Sequence, residues 1–152
     1  MTALIVGLGH PDRADDGVGA AVVDLLASRC PPDVEATTVD DPMSLIDVWS
    51  GAEYGVVVVV DAVVSGASPG TVRTMDVTSS PLPVPPGSAG GSHALGLAAT
   101  IELARAIDRL PGRLVVVGVE VGTLRSGGAL SAPVAASVPA AAQAALAAAA
   151  IR

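Results

Sequence analysis

Apolar residues gather in five valine-rich runs, Ala3–Leu8, Val34–Val39, Gly55–Val60, Thr71–Val77 and Arg113–Val119, that are mostly continuous instead of alternating with polar positions. Strands buried on both faces read this way, so the runs predict a largely parallel sheet with helices on each side. Between them the period changes. In Gly17–Arg29 the residues Val18, Val22, Leu25 and Leu26 recur at i, i+4, i+7 and i+8, one face of a helix. Ala94–Arg109 repeats the period through Leu97, Ile101 and Ala104, and Pro111-Gly112 ends it. A short helix is expected near Met43–Ser50, and an alanine-rich one over Pro139–Ile151, alanine having the best intrinsic helix propensity. The order β-α-β-α-β-β-α-β-α is that of an α/β sandwich around about five strands.

The segment Ser79–Ser92, SSPLPVPPGSAGGS, is too rich in Pro, Gly and Ser for anything but a loop. It is long for a compact domain, which favours a functional loop, and it leads directly into His93. No repeat and no boundary divides residues 1–152, so a single domain is expected. In open parallel sheets ligands bind at the carboxyl ends of the strands, and candidate chemistry is sought there.

Composition narrows the classes. The chain has 152 residues, fifteen Asp+Glu against eight Lys+Arg, and a net charge of -7. An acidic chain is a poor partner for nucleic acid or an anionic membrane surface, since both need clustered positive charge. One cysteine, Cys30, excludes an internal disulfide and Cys-rich zinc frameworks, and with no basic, apolar leader at the start the protein is expected in the cytoplasm. Val56–Val60 is far shorter than a membrane span. The uncharged stretch Ser126–Ile151 is mostly alanine broken by Pro133 and Pro139, so both read as parts of a soluble core.

Three polar positions stand out. Residues 7–19, GLGHPDRADDGVG, join the first strand to the first helix. Gly7 and Gly9 fit the start of a dinucleotide fingerprint, but Asp12 stands where the third glycine belongs and opposes a pyrophosphate. Asp15 is explained as a helix N-cap; Asp16 is a second carboxylate that capping does not require. Asp61 follows the valine run 56–60, either as a site residue above the sheet or as a turn former. His93 opens a helix, whose dipole favours the neutral imidazole that binds metal or acts as a base. All three sit at strand-to-helix junctions, which a parallel sheet gathers on one edge. Two carboxylates and one imidazole can hold a divalent ion or pair as acid and base. His10, in the same loop as Asp16, is expected within reach of that site. A serine triad with Ser65 or Ser92 lacks a G-x-S-x-G turn, and Cys30 lies at the far end of its helix.

Taken in order, GLGHPDRADDGVG, VVVVVDAV at 56–63, SHALGL at 92–97, VVVGVEV at 115–121 and the tail LSAPVAASVPAAAQAAL resemble the hydrogenase maturation endopeptidases, which process the large subunit of nickel-iron hydrogenases. The resemblance implies a three-layer α/β/α sandwich around a mostly parallel twisted sheet. It implies metal-contacting positions at Asp16, Asp61 and His93, which are also the candidate catalytic residues. The metal implied is nickel carried by the substrate, a hydrogenase large-subunit precursor, with cadmium or zinc able to substitute in vitro. The reaction implied is removal of the precursor's C-terminal extension; a non-catalytic nickel-dependent chaperone or binding module on the same fold is the alternative. Two positions depart from the family pattern: His10 where Asn is usual, and Asp40-Asp41-Pro42-Met43 where a DGGT-like turn is usual.

Overall fold

Each expected strand forms: β1 (Thr2–Leu8), β2 (Val34–Val39), β3 (Tyr54–Val63), β4 (Val72–Asp76) and β5 (Leu114–Glu120). The structure, a computed structural model, describes residues 2–9, 14–83, 92–122 and 129–150. The strands lie in the order β2-β1-β3-β5-β4, all parallel except β4, which runs antiparallel to β5 at one edge. Helices α1 (Val18–Leu26) and α4 (Ala132–Ala149) cover one face; α2 (Leu45–Ser50) and α3 (Ser92–Ala106) cover the other.

The continuous valine runs follow from this layering. Successive side chains of a strand point to opposite faces, so Ile5, Val58, Val60 and Val117 enter the core beneath α1 and α4. Leu4, Val6, Val57, Val59 and Val116 enter the core beneath α2 and α3. Burying one such side chain contributes roughly 1.5–3 kcal/mol. β2, at an edge, has only half-buried and exposed residues, and polar positions separate its two valines.

Helix α4 begins at Ala132, seven residues before the expected start at Pro139. Pro133 falls in the first turn, where its missing N–H has no helical partner to lose. Pro139 is inside the helix but on its exposed side, as is Ala135, so the carbonyl freed four residues back faces water. By length and composition α4 could cross a membrane. Here Val134, Ala141, Ala145 and Ala149 are buried against the sheet and α1, which makes it a core helix.

At the amino-terminal edge of the sheet Trp49 is buried, and its indole N–H donates to the Arg109 carbonyl at 2.7 Å. Tyr54 lies beside it, opening β3.

Candidate active site

The chain leaves β1 for β2 on one side and, after β2, returns to place β3 on the other. The carboxyl ends of β1 and β3 therefore flank the point where the strand order reverses, where open α/β sheets form their crevice. Asp16 and Asp61 belong to these two ends.

Asp16 is buried in a 3-10 turn, Ala14–Gly17, ahead of α1. Its position is set by glycines. Gly9 ends β1 at a φ of 121° with its N–H bonded to the Val39 carbonyl, and a Cβ there would fall on the carbonyl oxygen of Asp16. A side chain on Gly19 would lie 2.7 Å from the carbonyl oxygens of both Leu8 and Val60, so the first turn of α1 presses against β1 and β3. A Cβ on Gly7 would likewise fall on the Gly19 carbonyl oxygen, so Gly7 and Gly9, which suggested a phosphate loop, instead serve close packing of helix and strands.

Asp15 is not the N-cap expected for α1. That position is Gly17, with no side-chain bond, whereas Asp15 accepts from the N–H and hydroxyl of Ser131, the N-cap residue of α4. The two neighbouring carboxylates thus differ: Asp15 ties the loop to α4, and the carboxyl carbon of Asp16 lies 3.8 Å from where a Cβ on Gly9 would stand.

Asp61 is fully buried. It lies within β3 rather than after it, because pairing with β5 continues through Ala62 and Val63, with Asp61 opposite Gly118. Its Oδ1 accepts from the Ala62 N–H at 2.8 Å. By alternation it points to the α3 side, where it lines a small pocket with Leu97 and Leu82. His93 is in the first turn of α3, one helical turn ahead of Leu97. Its side chain, like the whole of His10, lies outside the described residues. Among the described residues no three His, Cys, Asp or Glu side chains cluster as a metal site.

Sequence reasoning missed Glu120. Buried at the end of β5, it accepts from the Ser65 N–H at 2.8 Å with one oxygen and from the Ser65 hydroxyl with the other. The signal was that of Asp61, a carboxylate closing a valine run. Ser65 is thereby committed to a carboxylate, which removes it as a triad nucleophile; the side chain of Ser92 lies outside the described residues. Burial pushes the Cys30 thiol up, away from the thiolate a nucleophile needs.

The turn Asp40-Asp41-Pro42-Met43 is well built. Asp41 caps it by accepting from the Met43 N–H at 3.0 Å, and Pro42 packs on Gly96 of α3, where a Cβ would lie 3.2 Å away. Of the long loop, Ser79–Pro83 is described, and it is anchored. Arg105 donates to the carbonyls of Thr78, Val77 and Ser80, and Leu82 is buried. Residues 84–91, most of the remaining expected functional loop, lie outside the described part.

The model of a protein family described as HycI, hydrogenase maturation protease, matches residues 23–148. The chain belongs to the hydrogenase maturation protease family. The protease is similar to the hydrogenase maturating endopeptidase HybD of Escherichia coli, with 26% identity, a TM-score of 0.73, and coverage of 97% of this chain and 91% of that one. A second Escherichia coli endopeptidase structure aligns with a TM-score of 0.79 at 26% identity, over 97% and 91% of the two chains. A hydrogenase 2 maturation peptidase from Thaumarchaeota archaeon SCGC_AB-539-E09 is 27% identical over the full length of both, with a TM-score of 0.68. No curated protein matches the protease in sequence. It is a hydrolase of the peptidase class on the α/β fold of these structures.

Proposed function

We propose that this protease removes the C-terminal extension of a hydrogenase large-subunit precursor already loaded with nickel, reading the metal through Asp16, Asp61 and His93. The observation that carries the reading is the burial of two carboxylates at the carboxyl ends of adjacent strands β1 and β3, at the switch in strand order. Support for the third ligand is the helical register: position 93 shares a face with Leu97, four residues on, and Leu97 lines the pocket beside Asp61. Two carboxylate oxygens and an imidazole nitrogen form a borderline donor set, suited to nickel, zinc or cadmium better than to magnesium.

The nickel is part of the substrate. Its contribution is to polarise the scissile carbonyl or a water beside it. The chain's own groups orient that carbonyl, take a proton from the attacking water and return one to the leaving amine. The acidic composition and single cysteine support action in the cytoplasm on a protein partner rather than on nucleic acid or membrane.

The test follows the mass of a nickel-loaded precursor mixed with the protease. Shortening by a C-terminal fragment is expected, and an Asp61→Asn variant should leave the precursor at full mass. Stable binding without shortening would instead identify a nickel-dependent binding module.

A further inference from the structure

Glu120 and Ser65 share two hydrogen bonds that the proposed processing does not use. In β5, Leu114 and Val116 face the core beneath α3, whereas Val115, Val117 and Val119 face the core beneath α1 and α4. By the same alternation Glu120 points to the α3 side, as Asp61 does, and it pairs with Val63, two residues beyond Asp61. One of its oxygens accepts from the Ser65 N–H at 2.8 Å and the other from the Ser65 hydroxyl. Ser65 in turn lines the same small pocket as Asp61.

Holding the β3–β4 connection does not require this carboxylate. Main-chain bonds already pin residues 64–71 at both ends: the Val63 carbonyl accepts from the Val121 N–H at 2.9 Å, the Thr71 carbonyl from the Glu120 N–H at 2.8 Å, and the Glu120 carbonyl from the Gly70 N–H at 2.8 Å. Glu120 is nevertheless buried, and burying a carboxylate is costly unless its oxygens are bonded. A neutral amide side chain could take the Ser65 N–H without that cost. What the carboxylate adds is direction, because both of its oxygens accept, whereas an amide pairs one acceptor with one donor. Facing it, the Ser65 hydroxyl spends its proton on Glu120 and keeps only lone pairs for a further partner. Donation to a carboxylate also polarises that oxygen into a better acceptor.

The partner must then be a donor, and an extended peptide entering the crevice carries one at every residue, its main-chain N–H, whatever its side chains. We infer that Ser65 Oγ accepts a hydrogen bond from a main-chain N–H of the substrate beside the scissile bond, with Glu120 as the positioning residue that fixes the direction of that bond. The inference rests on the reading that Asp61 belongs to the reacting centre.

Two measurements separate the inference from that reading. In the first, the full-length protease processes nickel-loaded precursors assembled by ligation, with an ester replacing one amide at a time near the cut and the scissile amide kept. At one position loss of the N–H should lower kcat/KM roughly 3- to 10-fold. Ser65→Ala should lower the rate for the all-amide precursor by a similar factor and cost that ester precursor nothing further, the signature of a direct pair. Glu120→Gln should keep the denaturation midpoint yet shrink the amide-over-ester preference, since its NH2 group turns the Ser65 hydroxyl toward the pocket. Thr71→Val, which removes a hydrogen bond to the Ser68 carbonyl in the same connection, should leave the preference unchanged. In the second, the Ser65 amide of the isotope-labelled protease is observed by NMR while a blocked hexa-alanine peptide or its analogue with ester bonds is added. The resonance should shift further with the amide peptide.

If precursors are cleaved but Ser65→Ala costs the amide and ester forms alike at every position, the acceptor role is overturned while the processing function stands. A folded Glu120→Gln protease with the full preference would overturn the part given to Glu120; should that variant fail to fold, the Ser65→Ala comparison decides alone. If no precursor is cleaved, the processing reading fails, and the Ser65 resonance decides: a larger shift with the amide peptide supports the acceptor, and equal shifts or none reject it.

Discussion

Asp15 and Ser131 are 116 positions apart in sequence, yet the carboxylate receives the serine's N–H at 2.6 Å and its hydroxyl at 2.8 Å. The contact joins the turn after β1 to the start of α4, so the crevice loop is braced by the last helix of the chain. Because the acceptor is buried and takes both donors of one serine, Asp15→Asn, which can accept from at most one of them through its single oxygen, is expected to destabilise the fold by about 1–3 kcal/mol. It should leave cadmium affinity nearly intact, since Asp16 is the residue assigned to the metal. Urea denaturation and cadmium calorimetry on the same variant check both halves; lost metal affinity in a folded Asp15→Asn protein would reverse the assignment of the two carboxylates.

The isolated protease is expected to bind cadmium weakly, and Asp16→Ala or His93→Ala should abolish that binding while circular dichroism stays unchanged. His10→Asn, which restores the usual family residue, should weaken it if the imidazole is a further ligand. Parental affinity in the Asp16 and His93 variants would refute the proposed ligand set.

Gly19→Ala places a methyl 2.7 Å from two backbone oxygens that cannot rotate away. Overpacking of this kind typically costs about 1–3 kcal/mol, and here it also pushes α1, and with it Asp16, off the strand ends. A fall in the denaturation midpoint together with weaker cadmium binding is expected. Gly112→Ala, whose Cβ would lie 3.9 Å from the nearest atom, is the control and should move neither. Equal effects from the two substitutions would mean that the close approach at Gly19 has no special role.

Asp76 carries a pH signature unrelated to catalysis. The backbone N–H of Thr78 donates to its carboxylate at 3.0 Å, and this bond, then the Thr78 side chain and Arg113, hold its pKa below the usual carboxylate range. A depressed folded-state pKa contributes stability that is present above the unfolded value, about 3.9, and is lost as pH falls through the folded one. The group is half exposed, so the contribution is small. Carboxyl NMR should place its midpoint below that of an unfolded Asp, and Asp76→Asn should narrow its stability deficit as pH falls below 4. A midpoint at or above the ordinary Asp value would contradict the hydrogen-bond geometry.

Much of the fold was legible because strand burial is written locally. Continuous valine in β3 and β5 announced strands covered on both faces, and the carboxylate of Asp61 stood out by closing such a run. What stayed hidden depends on distance or on uniformity. The role of Asp15 was illegible because its partner is supplied by the far end of the chain, while a nearby helix start offered a sufficient local explanation. The beginning of α4 was illegible because alanine gives no apolar period, which left Pro139 looking like a boundary. That β4 runs antiparallel could be read from the short connection after β3. That β5 inserts between them could not, since nothing in either strand names its neighbour. Of the proposed ligands, the places of Asp16 and Asp61 at the carboxyl ends of β1 and β3 followed from their junctions, whereas their burial did not, and the buried pair Glu120–Ser65 was passed over inside a motif read only as a strand.

Both chromophores of the chain, Trp49 and Tyr54, stand at the amino-terminal edge of the sheet. Seven residues of extended strand, about 23 Å at ~3.3 Å each, separate Tyr54 from Asp61. With its indole bonded to the Arg109 carbonyl and buried, Trp49 emits from an environment that global unfolding destroys and that metal or peptide at the proposed site should leave unchanged. Native fluorescence therefore serves this protein as a clean gauge of folding and as a blind one for its ligands, so that titrations need a probe introduced near Asp61.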